Sequence, residues 1–552
     1  MKVPKLEELS LREKIGQTVI FRHMLLEKIP DVRAYFSNNT VGFTWPMAHP
    51  KSVYSAIETA LGNPGLDGRK DDMYINMVNT MNRHMSIPVM PVVDAAQGIV
   101  SGKFEDHAEL PTFTSVGATR DPEIAYRYGK CLGDDLHSIG FRWIWSPVAD
   151  NAGKFIGTRS LSTDIELNCK MLPAFIKGMQ AAGVATGVKH FPGADPYEYR
   201  DSHFAPASYS ESFEYWEKTQ GREFMACIDA GVDAIMVGHK TFRAVDDTKI
   251  NGAMIPCTLS HKVITGLIKE KMGFDGVVLT DDCDMKGLTA IYPQEKLYVE
   301  LLRAGVDAVL GPRHLDYIDI VERAVLAGEL PESRIDDACR RVLRLKEKYG
   351  IFSQGELPHP TEERRDAIKE NIHALCRDIA AKGITLAANR IGLVPMRKNN
   401  IRRVKIFYVG YSDLCLENLK FAAEEFARHG AECEIRNGYT HADTKTLKNY
   451  DLIIYATFIG FHAPAGGPFF FGKECHMMRC ITAECAEKSV AVSFGDTNIF
   501  FNYFPASPTF VNCYSFNRET MEGFVKGLYG EISFTDYNPF PLNPITRTND
   551  VY

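Results

Sequence analysis

Gly276-Val-Val-Leu-Thr-Asp281 is a short run of apolar, β-forming residues that stops at a carboxylate, and the fold follows from how often this pattern returns. Comparable runs lie near residues 18–21, 41–44, 88–94, 142–148, 185–190, 233–239 and 306–310. Each is followed by a loop and a helix-like pattern, and near-continuous Val- and Ile-rich runs of this length mark a parallel sheet covered on both faces. Eight such units in about 330 residues predict a (β/α)8 barrel of the TIM type, with a doubly wound sheet as the main rival. Catalytic groups of such barrels sit at the C-terminal ends of the strands. Asp94, Asp150, the pair Lys189 and His190, His239 and Asp281 all fall where an apolar run stops.

Beyond the eighth run, residues 333–349 carry Ile335, Ala338, Val342 and Leu345 at helical spacing, which predicts a helix closing a first domain over residues 1–351. Residues 352–364, with two prolines and Gly355, read as a linker. A helix over 365–381 then opens a second domain, 365–552, in which strands near 404–409, 433–436, 452–458 and 490–494 alternate with helices. That order predicts a C-terminal three-layer α/β sandwich. The tail from residue 536, with three prolines and no periodicity, is expected to lie extended on the surface.

Lys and Arg total 63 against 70 Asp and Glu, a formal charge of -7, which argues against an electrostatic grip on nucleic acid or anionic membrane. No apolar run approaches the roughly 18–20 residues of a membrane span, and the N-terminus is polar rather than signal-like. The 13 cysteines are odd in number and scattered, as in a reduced, cytoplasmic protein. Cys475, Cys480 and Cys485 are spaced by five, not by the gaps of a zinc knuckle, so no metal is expected.

The densest chemistry lies in Gly187-Val-Lys-His-Phe-Pro-Gly-Ala-Asp195 and in Asp201-Ser-His203 just beyond it. An Asp two positions before a His can orient the imidazole and raise its basicity, although such a pair is also common on surfaces. In Gly273-Phe-Asp-Gly-Val-Val-Leu-Thr-Asp-Asp-Cys-Asp-Met285 three acids follow a buried strand. Like charges this close need a polar pocket or partners; the plain alternative is that Asp281 and Asp282 cap the next helix. The aromatic loop 460–472 is expected to pack against a neighbouring domain or subunit or to offer aromatic faces to a ligand, with Glu474 beside it.

Leu9-Ser-Leu-Arg-Glu-Lys-Ile-Gly-Gln17, Lys189-His-Phe-Pro-Gly193, Asp201-Ser-His203, Gly276-Val-Val-Leu-Thr-Asp-Asp282 and Ala304-Gly-Val-Asp307, in this order, closely resemble family 3 glycoside hydrolases. The Asp-Ser-His loop resembles their β-N-acetylglucosaminidase branch, and the likeness runs from Leu9 to about residue 544. It implies that Asp281 is the nucleophile, His203 the general acid/base and Asp201 the carboxylate orienting it. It implies further that Asp94, Arg159 of Gly157-Thr-Arg-Ser160, Lys189 and His190 hold the sugar, with His239 and Met285 beside it. The expected reaction is exo-acting, retaining hydrolysis of terminal β-linked N-acetylhexosamine from small oligosaccharides or peptidoglycan fragments, without a cofactor. A homodimer is allowed but not required. Asp94-Ala-Ala-Gln-Gly98 departs from the branch, where Asp-Gln-Glu-Gly-Gly-Arg is usual, and resembles the family's β-glucosidases at least as well. Their acid/base is a glutamate of the second domain, for which Glu474 is the candidate. β-Glucosidase and β-glycoside phosphorylase are therefore the alternatives, and a non-catalytic sugar-binding protein stands behind them.

Overall fold

A computed structural model describes residues 2–46, 70–95, 107–151, 157–195, 197–198, 200–289, 291–396, 400–460, 469–481, 485–543 and 548–549. Within it the chain forms two compact units, the first comprising Met1–Ala108, Tyr126–Asp150 and Leu172–Lys369.

The first unit is built on eight parallel strands: β1 (Val19–Arg22), β2 (Phe43–Trp45), β3 (Met90–Val93), β4 (Trp143–Ile144), β5 (Ala185–Phe191), β6 (Ala234–Val237), β7 (Val277–Thr280) and β8 (Val309–Leu310). Every strand falls on one of the eight apolar runs. Neighbours in sequence are neighbours in the sheet from β1 to β7, and β8 pairs with β1 through Val19↔Val309 and Ile20↔Leu310. The bridge Leu279↔Ala308 joins β7 to β8, so the sheet returns on itself. That closure and the sequential order make it the expected (β/α)8 barrel and exclude the doubly wound rival.

Because side chains alternate along a strand, Ile20, Phe43, Met90, Val92, Trp143, Trp145, Met236, Val277, Leu279 and Leu310 project inward as one buried core. Burying each large apolar side chain stabilises the barrel by about 1.5–3 kcal/mol. Val342 and Leu345 of the helix Glu332–Lys348 join that core, which is why a helical apolar stripe beyond the eighth strand belongs to the barrel.

The second unit comprises Glu109–Ala125, Asn151–Met171 and Glu370–Tyr552. Its sheet contains β9 (Thr385–Asn389), β10 (Arg403–Gly410), β11 (Glu432–Asn437), β12 (Leu452–Phe458), β13 (Ser489–Ser493) and β14 (Thr509–Asn512). The order is β9-β14-β13-β12-β10-β11, parallel throughout except β9 against β14. Val404, Ile406, Ile454 and Val492 pack on one side with Leu419, Phe426 and Phe524 of helices Asp413–Arg428 and Arg518–Tyr529. Phe407, Val409, Ile453 and Tyr455 face a separate core containing Leu447, Met478 and Phe500. Two cores on opposite faces of one sheet make the expected three-layer sandwich. Of the aromatic loop 460–472, residues 461–468 lie outside the described residues, as do residues 96–98 of the Asp94 segment. Among the described residues, no helix is long and apolar enough to cross a membrane.

Candidate active site

The C-terminal mouth of the barrel gathers most of the expected side chains. Lys189, within β5, is only 1% exposed, and its Nζ donates to Asp94 Oδ1 at 2.8 Å just beyond β3. The next residue, His190, is held by Asp150, which is wholly buried beyond β4. Asp150 Oδ2 accepts from the His190 backbone N–H at 3.2 Å and from Nδ1 at 2.5 Å, which assigns the ring proton to Nδ1. Asp150 Oδ1 accepts from Lys240 Nζ at 3.0 Å, and the same ammonium donates to the Gly193 carbonyl at 2.7 Å. Burial by itself would raise the Asp150 pKa, but Lys240 and His190 hold it well below the usual carboxylate range. Burial lowers the His190 pKa, and Asp150 and Asp281 restore only part of it.

Asp281 stands directly beyond β7. Its backbone N–H donates to Val237 O at 2.9 Å, and its Oδ1 accepts from the Asp282 N–H at 2.8 Å. Burial acts to raise its pKa, yet His190, His239, the Asp282 N–H and His203 together keep it lowered. The carboxylate is thus ionised at neutral pH. His239 is fully buried: Nε2 donates to Asp282 O at 2.9 Å and Nδ1 accepts from the Thr258 hydroxyl at 3.0 Å. With both ring nitrogens engaged, and burial lowering its pKa, His239 is a neutral brace for the Asp281–Asp282 turn.

The rest of the acidic run is neutralised from the first strand. Arg22, 1% exposed at the end of β1, pairs with Asp282 and Asp284, and Arg313 also binds Asp284. Gly311 makes room for this guanidinium, since a Cβ there would meet Arg22 Nε at 2.1 Å. Asp282 also accepts from the Asp284 N–H at 2.8 Å, a turn contact that lies before the helix Lys286–Thr289 begins. Neither of these carboxylate bonds, to Asp281 or to Asp282, reaches an N–H of that helix; both stay within the turn that precedes it.

His203 lies on the loop after β5. Asp201 Oδ1 accepts both the His203 N–H at 2.9 Å and Nδ1 at 2.7 Å; the carboxylate side chain is 7% exposed, the imidazole 47%. The loop is docked on the turn that carries Asp281. Lys286 N–H donates to His203 O at 3.2 Å, and Gly287 passes so close that a Cβ would lie 3.0 Å from Ser202 O. At the loop base, Asp195 accepts from Tyr197 N–H at 2.7 Å and from Ser210 N–H at 2.6 Å. Met285, at the end of the same turn as Asp281, is buried. Arg159 ends the short helix Gly157–Arg159 in the second unit, and Glu474 stands in the first turn of Gly472–Cys480 in the same unit.

Of the expected residues, the first unit therefore assembles Asp94, Lys189, His190, Asp201, His203, His239, Asp281 and Met285. Lys240, Arg22 and Thr258 were given no role by sequence reasoning. Lys240 had one legible signal: a charged residue immediately after His239, at the end of an apolar strand.

A closed (β/α)8 barrel whose mouth joins an ionised carboxylate to an Asp-held histidine has the layout of a barrel enzyme. The chain belongs to glycosyl hydrolase family 3: residues 64–345 match that family's N-terminal domain. A β-N-acetylglucosaminidase/β-glucosidase of Cellulomonas fimi is 26% identical over 340 residues, 60% of this chain and 60% of that one. More generally, the match spans about half to two thirds of the length of the curated relatives. Among solved structures, a β-glucoside phosphorylase superposes with TM-score 0.80 at 20% identity, over 98% of this chain and 95% of its own. A family 3 β-N-acetylglucosaminidase from Paenibacillus sp. str. FPU-7 does so with TM-score 0.76 at 22% identity, over 97% and 99%. These likenesses establish the two-domain fold.

Proposed function

We propose that the protein is an exo-acting, retaining β-N-acetylglucosaminidase that removes terminal β-linked N-acetylhexosamine from small oligosaccharides or peptidoglycan fragments. The observation that carries the reading is the Asp201–His203 pair, seated on a loop docked against the turn of Asp281. In this reading the Asp281 carboxylate attacks the anomeric carbon while the glycosidic bond breaks, and His203 gives its proton to the departing oxygen. A water that loses its proton to His203 then cleaves the glycosyl ester and frees Asp281. Asp94, Lys189 and His190 hold the sugar hydroxyls, Lys189 also fixing the Asp94 carboxylate as an acceptor. All thirteen cysteines are free thiols, which fits a reducing compartment.

The test is a panel of aryl β-glycosides assayed with and without phosphate. An aryl β-N-acetylglucosaminide should be preferred by on the order of 10-fold or more in kcat/KM, because a substrate lacking the amide leaves its polar partners unpaired. Equal kcat/KM on the β-glucoside supports the second reading, a broader β-glycosidase. That reading is favoured by the Asp94-Ala-Ala-Gln-Gly98 segment and by the double name of the Cellulomonas fimi relative. Release of sugar 1-phosphate would move the enzyme to the phosphorylases.

A further inference from the structure

We propose that Lys240 is a positioning residue for the glycosidase reaction: by holding Asp150 Oδ1 and the Gly193 carbonyl, it commits Asp150 Oδ2 to His190 Nδ1, and so presents His190 Nε2 to the bound sugar. The inference rests on the proposed glycosidase reading for its kinetic consequence, but not for its structural one.

The geometry leaves little freedom. Asp150 is fully buried, and its two oxygens are divided between Lys240 at 3.0 Å and the His190 backbone and ring at 3.2 and 2.5 Å. A buried carboxylate needs a countercharge, and two of its described neighbours can supply it: the Lys240 ammonium or a protonated His190. With Lys240 present, the imidazole satisfies Asp150 as a neutral donor, and the downward push of burial on His190 is consistent with that state. The charged and titratable groups around His190 are Asp150 and Lys189, Asp281 across the mouth, and His239. An imidazolium at this point would stand beside the nucleophile and weaken it by pairing with it. Lys240 thus spares Asp281 a fixed cationic neighbour. Through Gly193 the same ammonium also grips the start of the loop that carries Asp201 and His203. It therefore ties the sugar-binding histidine and the acid/base loop to one anchor.

Removing the ammonium should make His190 take up the missing charge. In Lys240→Met the acid limb of the pH profile of kcat/KM should move up by about one to two pH units, the usual effect of exchanging a charged partner. Lys240→Arg keeps charge and donors and should return the limb towards its wild-type position. Lys240→Gln, which keeps a donor but no charge, should behave like the Met variant and serves if Met does not fold. A structural role alone would lower activity at all pH values without moving the limb. Histidine 15N NMR on the full chain provides a readout independent of turnover. At pH 7 the wild-type His190 signal, assigned by its loss in His190→Gln, should be that of a neutral, Nδ1-protonated ring and should become imidazolium in Lys240→Met and in Lys240→Gln. Folded Met or Gln variants with an unmoved limb and an unchanged spectrum would overturn the inference. A wild type inactive on every glycoside, with the spectral change intact, would instead overturn the proposed function alone.

Discussion

Asp201→Ala removes the carboxylate that holds His203, and the structure sets the size of the loss. Asp201 Oδ1 carries two bonds, to the His203 N–H at 2.9 Å and to Nδ1 at 2.7 Å. The first shapes the loop; the second strengthens as the imidazole takes charge in the reaction. A hydrogen bond to a charged group contributes about 1.5–3 kcal/mol, and the half-exposed ring places this one near the lower end. A loss of about 1.5–2 kcal/mol corresponds to roughly 10–30-fold in the glycosylation rate. The loss should fall on substrates with a sugar or alkyl leaving group, which need the proton. A dinitrophenyl glycoside, whose leaving group needs none, should lose no more than about threefold. Single-turnover kinetics on both substrate classes measure the two effects. Asp201→Asn keeps an acceptor for the loop N–H and separates lost charge from lost loop geometry; it should retain the leaving-group dependence. Equal losses on the two classes in both variants would refute the acid/base assignment and turn attention to Glu474.

Asp281→Asn should fold normally yet form no covalent adduct with a 2-fluoro or 5-fluoro glycosyl inhibitor, since the amide keeps the shape but is a poor nucleophile; labelling of the wild type at another residue, read by peptide mass spectrometry, would sink the assignment. Lys346 provides a stability test away from the mouth: it is fully buried, donates to Gln17 Oε1 at 2.6 Å and Pro88 O at 2.8 Å, and burial pushes its pKa from 10.5 down to about 7. Between those pH values the unfolded chain binds the extra proton, so folding stability contributed by this group rises with pH from about 7 to 10.5, and the full cost of burying the charge is felt below 7. Lys346→Met should therefore lose more stability relative to wild type at pH 9 than at pH 6, by on the order of a few kcal/mol, in chemical denaturation. A difference independent of pH would refute it.

The barrel was legible because its strands are short, apolar and buried on both faces, so each reads as a run whatever its partners are. The sandwich was legible on one side of its sheet, from β13 to the edge strand β11, and not at β14 and β9. β9 is Thr-Leu-Ala-Ala-Asn and follows its helix without a marked break, and β14 is a four-residue strand set close behind two prolines. β9 lacks the β-branched content that announces a strand, and β14 is β-forming but short; both are fixed as strands by the pairing Leu386↔Val511 and by their neighbours in the sheet. Segments 109–125 and 151–171 show the same limit at larger scale. They read as ordinary connections of the barrel, yet they group with the second unit, because grouping depends on packing partners hundreds of residues away.

At the mouth, the strand-end carboxylates were legible and their pairing was not. Lys240 finds Asp150 across 90 residues, and Arg22 finds Asp282 across 260. No local pattern encodes either. What the pairings accomplish becomes clear only when they are taken together. Asp94 has Lys189, Asp150 has Lys240, and Asp282 and Asp284 share Arg22, with Arg313 added on Asp284. Each of these carboxylates is held by a lysine or arginine. Asp281, among the described residues, has none within salt-bridge distance; its neighbours are imidazoles and one backbone N–H. A permanent cation in contact would stabilise the carboxylate as an ion and so oppose its attack on carbon. The arrangement leaves the Asp281 carboxylate surrounded by imidazoles and a backbone N–H, with no lysine or arginine in contact among the described residues, which suits the nucleophilic role proposed for it. The value of Lys240 then follows from the same requirement, since by supplying the countercharge to Asp150 it keeps His190 from becoming the cation that Asp281 lacks.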